Sequence, residues 1–107
     1  MAITTIAGNI NSDGSIYQNP TGGIEGINKV DTGEYIVQFK SNFKNPPVVI
    51  ASQNYPKWDA QINTHGSSLD NVVVVFVNKT SAGFFTGSSN GNAQDRNFTF
   101  IAVGETA

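Results

Sequence analysis

The chain has 107 residues, no cysteine, eight acidic against six basic side chains and a net charge of -2. That length carries one domain with one core, burying roughly 65 % of the surface that the unfolded chain exposes. The composition excludes a disulfide framework, a thiol nucleophile and a cysteine-based zinc site, and the weak charge leaves no basic face for nucleic acid or an anionic membrane.

Residue usage leans toward strands, with many Val, Ile, Thr and Phe and a single Leu at Leu69. In chain order, Ile3 to Ala7 and Gly14 to Tyr17 read as short strands, separated by a polar connection in which Ser12-Asp13-Gly14 signals a hairpin turn. Asn19-Pro-Thr-Gly-Gly23 breaks the pattern, Ile24 to Val30 resumes it weakly, and Asp31-Thr-Gly33 turns into a strand over Glu34 to Lys40. There Tyr35, Val37 and Phe39 share one face, with Ile36 the apolar exception on the other. Pro46-Pro47 ends pairing for want of N–H donors, and Val48 to Gln53 follows as the next strand. Thr32 to Gln53 therefore reads as two adjacent strands of one antiparallel sheet.

A long polar connection, Asn54 to Asn71, holds one further short strand around Ala60 to Thr64. Val72 to Val77 is apolar on both faces, which predicts a central strand covered twice, by the opposite sheet and by a neighbouring subunit. Ser81-Ala-Gly83 reads as a tight turn into Phe84 to Gly87, and Ser88 to Arg96 is a second polar loop. In the closing strand, Phe98, Phe100 and Ala102 alternate with Thr99, Ile101 and Val103. No window has helical spacing. The expectation is all-β: a single domain over 1–107, a small antiparallel β-sandwich of six to eight strands, with a hairpin-like segment over 1–31 and the core over 32–104. No basic and apolar leader follows Met1 and no apolar run approaches bilayer-spanning length, so we expect cytoplasmic synthesis without a classical export signal and no membrane insertion, followed by release or association with a virion.

Four blocks in order, Phe39-x3-Phe43-x2-Pro46-Pro47-Val48-Val49, Asn71 to Val77, Thr80-Ser-Ala-Gly-Phe84 and Asp95-Arg-Asn-Phe-Thr-Phe-Ile-Ala-Val-Gly104, cover about two-thirds of the chain. In this order and spacing the chain resembles H-type lectins and the related knob domains of phage tail fibres. The resemblance implies a six-stranded sandwich, a homotrimer or a hexamer made of two trimers, and sugar sites between neighbouring protomers. The family's Trp-His pair for N-acetylgalactosamine has no counterpart here, because Ser88 to Arg96 has no aromatic residue.

The candidate ligand-binding residues lie in the two loops: Tyr55, Lys57, Trp58, Asp59 and His65 in the first, Asn90, Asn92, Asp95 and Arg96 in the second. An aromatic ring packs on the apolar C–H face of a sugar while flanking carboxylates, amides and amines bind its hydroxyls. The same residues have structural readings: Trp58 capping the sandwich or an interface, His65 solvated, Asn90-Gly91 forming a turn, Asp95 and Arg96 pairing beside the last strand. His65 has no second His or Cys to share a zinc ion, and a Ser/His/Asp triad built from Ser67 or Ser68 with Asp59 or Asp70 lacks rigid support. Asn9-x-Asn11-x-Asp13-Gly14 opens like a calcium loop but has Pro20 where the bidentate acid belongs, so a hairpin turn explains it. The expected function is a multivalent carbohydrate-binding, lectin-like module with a glycan or glycoconjugate as partner, no cofactor, no metal and no enzymatic activity. The alternative is a structural trimerisation or receptor-binding knob domain of a phage tail fibre without a sugar site.

Overall fold

The computed structural model describes residues 2–107 and consists of two four-stranded antiparallel sheets. Strand β1 (Ile3–Ile10), β2 (Ile16–Gln18), β3 (Ile24–Asp31), β4 (Glu34–Phe39), β5 (Val48–Asn54), β6 (Asn71–Val77), β7 (Ser81–Gly87) and β8 (Asn97–Glu105) follow in chain order. One sheet has the order β2-β1-β8-β5, the other β3-β4-β7-β6. Eight strands meet the expectation for a small all-β sandwich.

Period-2 alternation decides which side chains lie between the sheets. Ile6 and Ile10 of β1, Tyr35, Val37 and Phe39 of β4, Phe84 of β7, and Phe98, Phe100 and Ala102 of β8 are buried, whereas their sequence neighbours point outward. Phe98 touches Phe84 at 4.9 Å between centroids and Tyr35 at 5.1 Å, and the Tyr35 hydroxyl donates to Ser12 O at 2.7 Å. Burial, reinforced by the Asp95 charge, pushes that phenol up to about 12.

Several expectations need correction. β4 and β5 are not neighbours: the connection between them crosses from one sheet to the other, and buried Phe43 plugs the end of the sandwich on the way, edge-on to Phe39. Two Pro and a buried aromatic suit such a crossover better than a hairpin. β6 is an edge strand and not a central one. Its inward residues pack on the core, but Val73 and Val75 stand 48 % and 60 % exposed on the outer face. Ser81-Ala-Gly83 lies inside β7; the turn is one step earlier, where Asn78 Oδ1 accepts from Thr80 N and Ser81 N. Gly83 is small because the Phe76 ring of β6 lies across it, which a strand pattern cannot reveal. The segment around Ala60 to Thr64 forms an exposed 3-10 turn, Ile62–Thr64, closed by Thr64 N donating to Gln61 O. Within residues 2–31, β1 forms a hairpin with β2 and also pairs with β8 along its whole length, which places it inside the first sheet.

Both outer faces carry apolar side chains. On the first sheet Val48 and Ile50 of β5 oppose Val103 and Ile101 of β8. On the second sheet Val30, Ile36, Val75, Phe76 and Phe85 line a groove of about 370 Å³. Among the described residues no helix is long and apolar enough to cross a membrane.

Candidate functional site

The two polar loops emerge at the same end of the sandwich, where β5 runs out at Asn54 beside Asn97, the start of β8. Gln53 has the inward parity of Val49 and Ala51, so an amide sits where the core opens. Its Nε2 donates to Asn71 O at 2.7 Å and Gly87 O at 2.8 Å, tying β5 to the ends of β6 and β7. Its Oε1 is buried without a partner.

Next to Gln53, the first loop encloses an open cleft of about 360 Å³ lined by Gln53, Tyr55, His65, Ser67, Ser68 and Asp70. Tyr55 is 47 % exposed, and its ring is held from behind by the Arg96 guanidinium, 3.5 Å from the ring centroid. A planar cation on the π-face is a favourable arrangement, strengthened here because Arg96 is 9 % exposed. Arg96 Nη2 lies 3.9 Å from Asp70 Oδ1, an ion pair without a hydrogen bond, and Arg96 Nε and Nη1 are buried and unpartnered. Ser67 and Asp70 form a self-braced turn: Ser67 N donates to Asp70 Oδ2 at 2.8 Å and Asp70 N to Ser67 O at 3.0 Å. Gly66 passes so close that a β-carbon there would meet the Tyr55 ring, and its carbonyl is hydrogen-bonded to His65 Nδ1 at 2.7 Å.

The structure thus gathers Tyr55, His65 and Arg96 of the expected residues and scatters the others. Trp58 reaches across the end of the first sheet to its far edge, where its ring lies parallel to Tyr17 at 5.0 Å and its Nε1 donates to Asn11 Oδ1 at 2.9 Å. This is the capping role. Lys57 and Asp59 are exposed beside it and line no part of the cleft. Asn90 is turned into its own loop, its Oδ1 accepting from Asn92 N at 3.1 Å and from the Ser88 hydroxyl, while Asn92 O accepts from Ser88 N. Asp95 does not pair with Arg96: its Oδ1 accepts from Gly33 N at 2.7 Å and meets Lys29 Nζ at 2.9 Å. Partial burial alone would raise the Asp95 carboxyl, but these two partners outweigh it and hold it below the usual range.

The sequence pattern does not mark Ser67, Ser68 and Asp70 as ligand-binding, whereas an amide at the inward parity near the end of a strand is a readable signal for Gln53. The other three depend on a loop path that no periodicity encodes. Asp13 Oδ1 accepts from Ser15 N and Oγ, which makes the calcium-like stretch a hairpin turn, and the described residues contain no group of three or more acidic, His or Cys side chains able to hold a metal. Chemically, the cleft offers an aromatic surface beside oxygen acceptors and hydroxyls on a braced backbone. Comparison with family models, with curated proteins and with solved structures yields no match for this chain.

Proposed function

We propose that the protein is a carbohydrate-binding, lectin-like module that works as a homo-oligomer, with its sugar site in the Tyr55 cleft. The observation that carries this reading is Tyr55 itself, a half-exposed ring clamped by a buried guanidinium at the rim of a polar cleft. A ring fixed in this way loses little freedom on packing against a sugar, while Asp70, Ser67, Ser68 and His65 border it with hydrogen-bonding groups. Single sites of this openness bind weakly, and several copies in one assembly raise the effective affinity. The apolar outer faces of both sheets supply surface for such an assembly. They also favour the second reading, a purely structural or receptor-binding knob in which the faces matter and the cleft is incidental.

An array of immobilised neutral and acidic glycans separates the two. Wild-type protein is expected to bind a defined subset of glycans, and Tyr55→Ala to lose at least tenfold in apparent affinity while eluting at the same oligomeric mass. Binding that survives Tyr55→Ala undiminished would remove the cleft as the site, and an empty array would leave the structural reading.

A further inference from the structure

We infer that the cleft selects the hydroxyl groups of a neutral sugar and rejects sugars bearing a carboxylate, an inference that rests on the carbohydrate-binding proposal above. The unsatisfied groups at the cleft determine this. Both Nε2 hydrogens of Gln53 are committed to Asn71 O and Gly87 O and its Oε1 is sealed from solvent, so its amide has no donor to offer an anionic ligand. Asp70 uses Oδ2 on Ser67 N, and its Oδ1 lies 3.9 Å from Arg96 Nη2, too far for a hydrogen bond. Asp70 therefore keeps one acceptor oxygen free at the cleft, and what satisfies an acceptor is a donor. A sugar hydroxyl donates to that oxygen and accepts from the Ser67 and Ser68 hydroxyls in the same pose; a carboxylate can only accept.

Charge sharpens the choice. The permanently charged base beside the cleft is Arg96, and it lies against the Tyr55 ring with Nε and Nη1 sealed from solvent, so it cannot offer a carboxylate the bidentate fork that makes arginine an anion receptor. An incoming carboxylate instead meets the like charge of Asp70. A neutral polyol avoids that penalty. Arg96 is accordingly a positioning residue, acting through the Tyr55 ring and Asp70.

The test is a titration of uniformly ¹⁵N-labelled protein, followed by amide chemical shifts, with the methyl glycosides of glucose, galactose and mannose and with the methyl glycosides of the three corresponding uronic acids. At least one neutral glycoside is expected to shift the Gln53 side-chain amide and the backbone amides of Tyr55 and Ser67, with its uronic counterpart binding at least tenfold more weakly. Asp70→Asn should narrow that gap to about threefold or less, its spectrum showing directly that the fold persists. Uronic acids that bind as well as or better than the neutral sugars would overturn the inference and leave the carbohydrate reading standing. An absence of shifts with all six would overturn both.

Discussion

Asp95 stands where the β3–β4 hairpin meets the second loop, and its carboxylate joins them through Gly33 N and Lys29. Gly33 has φ +71, and a β-carbon there would press on Thr86 O, so only glycine brings that N–H to the carboxylate. Because the folded chain holds the Asp95 carboxyl below its ordinary value of 3.8, the charged form favours folding. The contribution is complete above that value and is lost as pH falls through the lower folded one. With 41 % of the side chain exposed, solvent screening limits the contribution to about 1 kcal/mol. Asp95→Asn should therefore lower the urea-unfolding free energy by about that amount at neutral pH, and by progressively less as the pH falls below 3.8. A loss that stays constant as the pH falls would show that the charge is not what matters.

At the scale of elements, the first loop is held near its start by two aromatics, Tyr55 on Arg96 and Trp58 on Tyr17 and Asn11. Trp58→Ala removes a stacked pair and a hydrogen bond and should cost about 1–3 kcal/mol of stability in thermal or urea unfolding. Trp58→Phe, which keeps the stacking, should recover about half of it. Neither change should weaken glycan binding at the cleft more than about threefold, which separates the capping tryptophan from the ligand-facing tyrosine. In the sequence these two aromatics, three residues apart, look interchangeable. Strand identity was legible wherever one face is buried, as in Tyr35-Val37-Phe39 and Phe98-Phe100-Ala102, because period-2 alternation reports burial directly. Strand neighbours were not. Whether Phe43 ends a hairpin or crosses between sheets depends on which partner strand buries it, and Val72 to Val77 looks central only because its outer face is also apolar. The cleft was legible in part, through Tyr55, His65 and Arg96. Asp70 joined them only through the fold of the loop.

For the molecule as a whole, the apolar faces lie on opposite sides of the sandwich, Val48 and Ile50 on one and Val73 and Val75 on the other, all between 48 % and 73 % exposed. The proposed assembly predicts that light scattering after size exclusion gives a mass above the 11.4 kDa of one chain at micromolar concentration. Val75→Lys or Ile50→Lys should move it toward that value, and a wild-type monomer would end the oligomer proposal. If only one of the two substitutions acts, that face is the contact. β6 carries a second consequence. Asn71 to Val77 has no charge and no proline and lies at an open edge, the make-up of a segment that templates amyloid. Yet its pairing with β7 runs in register only from Asn71 to Val74 before the bulge at Val75 shifts it. A bulge that bends an edge strand is one of the devices by which sheets blunt an open edge, and straightening the one at Val75 would trade a bent strand for a sticky one.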